Sequence, residues 1–376
     1  MNLVHVYRTY FPDPPGGIQE AIRQISLTTQ PLHIDNTIFT LSPRPVPSIV
    51  DFPEGRVVRS KSWAAPASCD LGLFDAFCKY RSTIRRADIL MHHFPWPFAD
   101  VLRLFAGATP PLILLYHSDI VRQVLLGKVY SPLMARTLDA ANAIVATSPN
   151  YAETSPILSK PSVRSKVKII PLGINEDSYI KESDSEVFAR MGLEDDEPYF
   201  LFIGVLRYYK GLDFLIEAAR DLTVKVVIAG SGPEYDRLLN KKVELKVSNI
   251  IFAGHVTTQE KVALLKNCKA FVLPSHLRSE AFGVVLVEAA LFGKPMISCE
   301  IGTGTSYINS HGITGFVVAP KNSTELAEAM DRLSNDERLV QSMGKFARQR
   351  YERLFSGPAL VKAYEELFSE VLLSVK

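Results

Sequence analysis

Short apolar runs, separated by longer segments in which apolar positions recur every three or four residues, fill the chain. The runs of the first half are 3–7, 87–93, 111–117, 143–148 and 167–173. The runs of the second half are 198–204, 224–230, 249–254, 270–275 and 294–299. Each run is typical of a buried parallel strand, and the segments between them are typical of amphipathic helices. The pattern predicts an α/β protein with two doubly wound, Rossmann-like parallel-sheet domains that face a cleft.

Two breaks in this pattern predict the domain boundaries. Residues 175–199 are polar and weakly patterned, which favours a linker and the first helix of the second domain. The tripeptide Ser-Gly-Pro at 356–358 precedes a segment of helical period at 359–375, which predicts a separate terminal helix. The chain is therefore expected to divide near residues 175 and 357.

Composition agrees with two soluble domains. A chain of 376 residues is too long for one hydrophobic core, and its contents of 47% hydrophobic and 22% charged residues are ordinary for globular proteins. No run of 18 apolar residues occurs, so no membrane span is expected. The four cysteines form no C-x-x-C pair and the N-terminus has no leader pattern, which favours a cytoplasmic, reduced protein.

The net charge of +2 is unevenly distributed. Residues 1–175 contain 18 Lys and Arg against 12 Asp and Glu, which makes +6, whereas residues 176–376 contain 24 against 28, which makes −4. A basic first half, with segments such as “KYRSTIRRAD”, suits an anionic membrane surface, and an ordinary solvated surface explains it equally well. Nucleic acid is not an expected partner, because the basic residues are not interleaved with aromatic residues in a binding motif.

Candidate chemistry in the first half follows the ends of the predicted strands, where parallel sheets bind ligands. Gly16 and Gly17 lie between the first strand and an amphipathic helix, and their backbone N–H groups can approach an anion such as a phosphate. A glycine turn that only starts the helix is the alternative.

Several ring side chains follow two other strands of the first half. His117 ends one strand and Asp119 follows it, while His92 and His93 end another strand before Trp96. A histidine there can bind a sugar hydroxyl or a phosphate, and a tryptophan can stack on a sugar face. The alternative is that these residues are packed and satisfied within the core or a loop.

The segment “FVLPSHLRSEAFGVVLVEAALFGKP” is the richest in the second half. Its pattern predicts a helix that Glu280 opens and that places Glu288 about 12 Å further along the axis, so the two carboxylates can contact different parts of one elongated ligand. Phe282 and Gly283 would occupy the first turn, with N–H groups available to a diphosphate. A buried Glu288 needs a hydrogen-bonding partner, which favours a ligand over a core salt bridge.

Two cations follow the first strand of the second half. Arg207 and Lys210, in “GVLRYYKGLD”, would face a helix N-terminus and form a diphosphate-binding pair. A solvated basic turn is the alternative.

Five segments in this order, an early “GG”, “RYYKGLD”, “IAGSGP”, “LPS” and “EAFGVVLVE”, resemble the retaining glycosyltransferases of family 4, which have the GT-B fold. The resemblance implies that Arg207 and Lys210 bind the diphosphate of a nucleotide-sugar donor, that Glu280 binds the transferred sugar and that Glu288 binds the ribose. It also implies backbone contacts from Phe282 and Gly283. The GT-B fold further implies that the terminal helix crosses back to the first domain, so the expected domains are 1–175 with 358–376, and 176–357.

In the first domain, the resemblance implies that His117 is the cleft histidine beside the donor sugar and that Gly16 and Gly17 approach the diphosphate. One position departs from the family pattern. The usual arginine directly after the strand-end glycine is Val205 here, so Arg207 would have to replace it.

Within the family, “YHSDIVRQ”, “PLGI” and “GTGTSYINSHGITGFVV” are similar to bacterial enzymes of surface-polysaccharide synthesis that transfer mannose or D-rhamnose from GDP-sugars. The likeness implies a glycan or lipid-linked acceptor, with His92, His93, Trp96 and Asp119 as candidate contacts. A loop around Thr303–Thr305 could reach the donor sugar.

The sequence has no Asp-x-Asp, the arrangement that holds a metal on the diphosphate, so we expect no metal and no cofactor besides the nucleotide-sugar substrate. The family retains anomeric configuration, and no nucleophile is apparent. Two alternatives stay open at this point: a nucleotide-sugar epimerase on the same fold, and a non-catalytic nucleotide-sugar binding protein.

Overall fold

A computed structural model describes residues 1–13, 16–66, 69–120, 124–179, 182–194 and 197–374. Parts of the predicted linker, the segment 121–123 of “YHSDIVRQ” and the last residue of the predicted terminal helix, Val375, lie outside these ranges. The chain forms two compact units, one of Met1–Asn175 with Gly357–Lys376 and one of Glu176–Ser356. The terminal helix thus begins at Gly357 rather than after it.

The described part of the first unit contains a nine-stranded sheet of order β3-β4-β2-β1-β6-β7-β8-β9, with β5 paired to β4. The strands are parallel except at the β3–β4 and β4–β5 pairs. Their bounds are β1 Asn2–Val6, β2 Asp35–Ser42, β3 Ile49–Phe52, β4 Gly55–Ala64, β5 Leu71–Gly72, β6 Ile89–Phe94, β7 Leu112–Tyr116, β8 Ala143–Ala146 and β9 Val167–Ile169.

Helices pack around this sheet. The last of them, α15 at Gly357–Leu373, packs against α1 at Gly17–Thr29, and both belong to the first unit. A 3-10 turn, Gln30–Leu32, follows α1. The helices are α1 Gly17–Thr29, α2 Phe74–Ile84, α3 Pro97–Leu104, α4 Val124–Ala140, α5 Pro149–Thr154, α6 Pro161–Arg164 and α15 Gly357–Leu373.

The second unit contains a parallel sheet of order β12-β11-β10-β13-β14-β15, the doubly wound arrangement. Its strands are β10 Tyr199–Ile203, β11 Lys225–Ala229, β12 Ile250–Gly254, β13 Ala270–Leu273, β14 Met296–Cys299 and β15 Gly315–Val318. Its helices are α7 Glu186–Met191, α8 Leu212–Ala219, α9 Tyr235–Glu244, α10 Thr258–Asn267, α11 Val284–Leu291, α12 Gly304–Ile308, α13 Ser323–Asn335 and α14 Glu337–Leu354. The 3-10 turns are Glu176–Ser178 and Tyr208–Lys210.

All ten predicted strands are confirmed, because each apolar run contains a strand. Eight of them are mostly buried, as expected for strands covered by helices on both faces, whereas the edge strands β9 and β12 are only partly buried. Within the described ranges the sequence pattern missed β2, β3, β4, β5 and β15. The long strand β4, “GRVVRSKSWA”, has polar residues at half of its ten positions, so it lacks the apolar run of a central strand.

Candidate active site

The topological switch point of the second sheet lies between β10 and β13. The chain order runs outward from β10 through β11 and β12 on one side, and from β13 through β14 and β15 on the other. Loops after the two central strands of such a sheet diverge, so ligands bind at their carboxyl ends near helix N-termini. The two loops here are residues 204–211 and 274–283, which contain most of the candidate residues of this unit.

An ion pair between Lys210 and Glu280 joins these two loops. Lys210 Nζ donates to Glu280 Oε2 over 2.5 Å, and Ser275 Oγ donates to the same oxygen over 3.1 Å. The lysine and glutamate side chains are only 10% and 12% exposed. An ammonium has three N–H donors and a carboxylate two acceptor oxygens, so the pair can hold itself in place and also bind a ligand. The sequence indicated both residues but not their contact.

Gly211 explains how the pair can form. It follows the turn that presents Lys210, its φ is +71°, and a Cβ atom added to it would lie 2.0 Å from the carbonyl oxygen of Pro274. Only glycine permits this conformation and this close approach of the two loops. The glycine of “YYKGLD” is therefore required for the backbone contact that brings Lys210 beside Glu280.

The glycines of “IAGSGP” have a similar use. A Cβ atom on Gly230 would lie 2.1 Å from the carbonyl oxygen of Gly204, and one on Gly232 would lie 2.5 Å from that of Leu206. The missing side chains let the loop after β11 pack against the loop after β10. The sequence indicated this motif only through the family resemblance. The backbone contacts explain why both positions require glycine.

Arg207 and Val205 lie on the loop after β10. Both are exposed, and Leu206 between them is fully buried. Such alternation is typical of an extended segment in which every second side chain points the same way. Arg207 therefore projects to the same side as Val205, the position at which the family pattern has its arginine.

Glu280 does not open the helix as the sequence predicted. Helix α11 begins at Val284, and Glu280, Phe282 and Gly283 lie in the turn that precedes it. Gly283, with φ of +91°, is the N-cap residue, and this left-handed conformation ends the turn and starts the helix there. The predicted 12 Å spacing along one helix was thus wrong. The side chain of Phe282 is buried against Phe355.

Glu288 lies on α11 and is 8% exposed. Lys261, from α10, donates to its Oε1 over 2.7 Å, and the same ammonium lies 5.2 Å from the ring centre of Tyr179. This lysine supplies the partner that a buried carboxylate requires. The sequence analysis missed Lys261, since no local pattern links it to Glu288.

Thr303–Thr305 was expected to be a loop that could reach a sugar. Both threonine side chains are fully buried instead, and Gly304 begins α12. Gly304 N donates to the carbonyl oxygen of Ala281, and Thr305 Oγ1 donates to that of Cys299. Gly304 is therefore hydrogen-bonded to the turn that contains Glu280, and the buried threonines on either side of it pack in the core.

In the first unit, Gly16 and Gly17 lie between β1 and α1, as predicted. Gly16 is the N-cap residue in an extended conformation, and Gly17 begins the helix. A Cβ atom on Gly17 would meet nothing within 4 Å, so the glycine leaves open space at the N-terminus of α1. That space suits a ligand that approaches the backbone N–H groups.

His117 and His93 lie side by side with His5, at the carboxyl half of the first sheet. His93 Nδ1 lies 2.9 Å from His117 Nε2, and His93 Nε2 lies 3.0 Å from His5 Nδ1. Burial lowers the pKa of His5 to about 4 and that of His117 to about 3, and it holds the pKa of His93 well below its usual range. These rings are therefore neutral at pH 7. The sequence analysis did not single out His5.

The other candidate acceptor contacts are engaged within the first unit. His92 points to the opposite face of the sheet from His93 and bonds the hydroxyl of Tyr80 over 3.1 Å. Trp96 is 2% exposed, and its Nε1 donates to the carbonyl oxygen of Asp70. Asp119 accepts from the hydroxyls of Tyr116, Tyr151 and Ser155. The structure does not bring His92, His93, Trp96 and Asp119 together.

The described ranges contain neither a cluster of metal-binding side chains nor a membrane-spanning helix. No group of three or more His, Cys, Asp or Glu side chains there could hold a metal ion. Within the same ranges, no helix is both long and apolar enough to cross a membrane.

Two family models match the chain. “Glycosyltransferase Family 4” matches residues 15–178, and “Glycosyl transferases group 1” matches residues 183–350. D-rhamnosyltransferase WbpZ of Pseudomonas aeruginosa is 42% identical over 359 residues, which cover 95% of this chain and 92% of the relative. O-antigen chain mannosyltransferase C of Escherichia coli is 38% identical over 374 residues, which cover 100% of both chains.

Solved structures with the same fold cover almost the whole chain. Sucrose-phosphate synthase of Thermosynechococcus elongatus superposes with a TM-score of 0.81 at 19% identity and covers 99% of each chain. HepE of Anabaena in complex with UDP-glucose superposes with a TM-score of 0.73 at 19% identity and covers 98% of this chain and 99% of that one. At these identities the likeness concerns the fold.

Proposed function

This chain belongs to glycosyltransferase family 4 and has the GT-B fold, and from that premise we propose that it transfers mannose or D-rhamnose from a GDP-sugar, with retention, to a lipid-linked glycan. The names of the relatives at 42% and 38% identity support these sugars and an O-antigen type of acceptor. Both relatives are transferases, so the epimerase and the non-catalytic binding protein are not favoured.

The Lys210–Glu280 pair is the observation on which the proposal depends. It lies at the switch point of the second sheet, beside the N-termini of α8 and α11, where a diphosphate is best stabilised. Lys210 binds the diphosphate, and Glu280 accepts hydrogen bonds from hydroxyls of the transferred sugar. The pair holds each charge in position before the donor binds, which lowers the cost of ordering them during the reaction.

The proposed reaction balances without an enzyme nucleophile. The bond between the sugar C1 and the diphosphate oxygen breaks, and the acceptor hydroxyl oxygen bonds to C1 on the same face, so configuration is retained. The hydroxyl proton passes to the departing diphosphate oxygen. Lys210 and Arg207 neutralise the charge that develops on this leaving group, which is why the reaction would need no metal.

We propose two further side-chain contacts and a set of backbone contacts with the donor in the second unit. Arg207, on the same side of the loop as Val205, takes the place of the usual family arginine. Glu288 binds the ribose hydroxyls, while Lys261 holds one of its oxygens and fixes the carboxylate. Phe282 and Gly283 contribute backbone groups at the start of α11.

From the first unit we propose that Gly16, Gly17 and His117 contact the donor. The open space at Gly17 supports an approach of the diphosphate to the N-terminus of α1. His117, neutral at pH 7, can exchange a hydrogen bond with a sugar hydroxyl but cannot neutralise charge. His93, Trp96 and Asp119 are poor candidates for direct acceptor contacts, because their polar groups are already engaged. His92 is a poor candidate because its ring is buried on the opposite face of the sheet from His93.

A peripheral position at the inner face of the cytoplasmic membrane would give access to a lipid-linked acceptor. The side chains of Trp63, Phe74 and Phe105 are 69%, 81% and 69% exposed. Arg81 on α2 and Arg85, the residue that caps the end of this helix, are exposed as well. Trp63 lies on β4 at the point where this strand pairs with β5. One residue after β5 the chain enters α2. Exposed aromatic and basic side chains on one surface suit the interface of an anionic membrane.

The experiment that tests the proposal pairs donor binding with turnover. We expect GDP-mannose or GDP-D-rhamnose, but not the UDP- or ADP-sugars, to raise the melting temperature, because a ligand at 100 times its Kd adds about 2.7 kcal/mol of stability. Transfer to a lipid-linked acceptor should continue in EDTA and give a product whose anomeric configuration, by NMR, matches the donor.

Glu280→Gln is the matched variant, since it keeps the size of the side chain and removes its charge. It should fold, bind the nucleotide and lose at least about a hundredfold in kcat. Wild-type turnover in this variant, or an absolute metal requirement of the wild-type enzyme, would contradict the proposed site.

A further inference from the structure

A diagonal row of four polar side chains crosses the first sheet, on neighbouring strands and on one face. Leu3 pairs with Asn36 and His5 lies two residues beyond Leu3. Met91 pairs with His5 and His93 lies two beyond Met91. Leu115 pairs with His93 and His117 lies two beyond Leu115. Side chains two residues apart share a face, so each step moves one strand sideways and two residues towards the carboxyl edge.

The row is continuous and buried. Its three contacts are Asn36 Oδ1 to His5 Nε2 at 3.3 Å, His5 Nδ1 to His93 Nε2 at 3.0 Å, and His93 Nδ1 to His117 Nε2 at 2.9 Å. The four side chains are at most 6% exposed. Burying four polar groups in a core is costly unless each one is hydrogen-bonded, so a complete row is the economical arrangement.

Asn36 sets the direction of these hydrogen bonds. Its Nδ2 donates to the backbone carbonyl oxygens of Ser26 and Ile34, at 3.2 and 3.4 Å. Carbonyl oxygens can only accept, so the amide nitrogen must be on that side and Oδ1 must face His5. His5 Nε2 therefore carries a hydrogen, and in a neutral ring Nδ1 is left as an acceptor.

Each ring in the row then fixes the tautomer of the next one. His5 Nδ1 accepts from His93 Nε2, which leaves His93 Nδ1 to accept from His117 Nε2. We infer that Asn36, His5 and His93 are positioning residues which hold His117 as its Nε2–H tautomer, so that its Nδ1 offers a lone pair to a hydroxyl group of the donor sugar. The inference rests on the proposed function in one respect, namely that His117 contacts the donor.

The row can also keep its three hydrogen bonds with one extra proton on any of the three histidines. In each of these charged arrangements His117 Nδ1 carries a hydrogen and becomes a donor. Burial works against these charged forms, since it lowers the pKa of all three rings. Among the described residues, the hydrogen bond from Nε2 to His93 is the one that the His117 ring makes.

This tautomer has a consequence for specificity. A donor sugar without the hydroxyl that meets Nδ1 leaves a lone pair unpaired, so we expect it to bind about tenfold more weakly. A deoxyfluoro analogue accepts but cannot donate a hydrogen bond. The wild-type enzyme should discriminate against the analogue altered at that hydroxyl, and His117→Ala should lose the discrimination.

NMR of the full-length protein, labelled with 15N at its eight histidines, tests the tautomers directly at pH 7. Long-range 1H–15N correlations distinguish a protonated ring nitrogen from an unprotonated one, and single variants assign the rings. His5, His93 and His117 should each carry the hydrogen on Nε2 alone. Protonation of His117 at Nδ1 would overturn the inference whatever the enzyme's activity.

Two substitutions of His5 test the positioning role. His5→Asn keeps an acceptor oxygen near the place of Nδ1, while His5→Leu removes it. We expect His5→Leu to raise the donor KM about tenfold with little change in kcat and to mix the His117 tautomers, and His5→Asn to stay within about twofold of wild type. If His5 had only a structural role, its substitution would lower the melting temperature without raising the donor KM in His5→Leu alone.

The outcomes separate the two claims. An unchanged His117 spectrum and an unchanged donor KM in His5→Leu would overturn the relay, and if that variant does not fold, the wild-type spectrum and His5→Asn still decide. Wild-type KM in His117→Ala would refute the donor contact under the proposed function, and the NMR result would then judge the row of histidines alone.

Discussion

At the scale of single residues, each carboxylate of the proposed donor site pairs with one lysine from a different element. Lys210 pairs with Glu280 and Lys261 pairs with Glu288, and three of these four side chains are at most 12% exposed. Removal of one partner leaves a mostly buried charge uncompensated. Substitutions of the lysines should therefore change both stability and donor binding.

Lys261→Met is expected to act through Glu288. It keeps most of the apolar stem but leaves the carboxylate without its ammonium, so the free energy of unfolding of the second unit should fall by about 1–3 kcal/mol. The donor KM should rise about tenfold while kcat changes little, because a ribose contact is made equally in the ground and transition states. Urea denaturation and steady-state kinetics measure the two effects.

Lys269→Met provides the matched control. Its partner, Glu337, lies 3.1 Å away but is 63% exposed, so this pair should contribute less than about 1 kcal/mol. Equal losses of stability in the two variants, or an unchanged donor KM in Lys261→Met, would argue against a positioning role for Lys261.

Gly211→Ala tests the close approach of the two loops. A Cβ atom there would lie 2.0 Å from a backbone oxygen at φ of +71°, so the loops must separate and the Lys210–Glu280 pair with them. We expect a loss of stability above about 2 kcal/mol and a large loss of kcat. Gly192→Ala has a similar φ of +63° but nothing within 4 Å, and it should cost only about 1 kcal/mol and spare activity. Equal behaviour of the two variants would contradict this account.

At the scale of an element, α2 combines two features of a membrane-binding surface. Its buried side, which includes Ala76, Tyr80 and Ile84, faces the sheet, while Phe74 and Arg81 of the helix and its C-cap residue Arg85 face solvent. The packed face of α2 alone contacts the core, so the exposed side chain of Phe74 is not needed for folding. This division allows the exposed face to be altered without loss of the helix.

We expect the protein to co-sediment with vesicles that contain anionic lipids at low salt and to be released by high salt. Phe74→Ser should weaken the vesicle affinity about tenfold, because most of a phenylalanine side chain leaves the interface. Val243→Ser, at a 69% exposed apolar position of the second unit, is the control and should bind as wild type does. Failure of the wild-type protein to bind at low salt would exclude this surface.

At the scale of the whole molecule, acid sensitivity should concentrate in the first unit. Burial holds the pKa of His5 at about 4 and those of His92 and His117 at about 3, against about 6.5 in an unfolded chain. As pH falls below about 6.5 the unfolded chain gains these protons and the folded one does not, so the free energy of unfolding decreases. Each histidine should contribute about 1 kcal/mol between pH 7 and 5.5.

One group opposes this trend. Burial raises the pKa of Asp100 to about 7, so its folded form holds a proton that the unfolded chain lacks between about pH 4 and 7. The histidines outnumber it, and we expect a net loss of several kcal/mol from the first unit. Urea denaturation at pH 7 and at pH 5.5 measures this loss in the free energy of unfolding. His92→Phe should reduce the difference, His255→Gln at an exposed position should not, and a pH-independent free energy would refute the argument.

Much of the fold could be predicted from the sequence because a buried parallel strand is a local property. Ten apolar runs located ten strands, and the turn signals near residues 175 and 357 lie where the two units meet in the chain. The sequence pattern missed β4 because polar residues occupy half of it, including the buried Arg59 and Ser60. The start of α11 was misplaced because Gly283 adopts a left-handed conformation that the apolar pattern does not reveal.

The candidate site could be predicted only as a set of separate residues. Their motifs and their family likeness are linear features, so Lys210, Glu280, Glu288 and His117 were all identified from the sequence alone. Their partners were not, because Lys210 meets Glu280 across 70 residues and His5 meets His93 across 88. Strand order and register decide such contacts. The sequence determined which side chains are present at the strand ends, and only the tertiary structure decided which ones share a charge or a hydrogen.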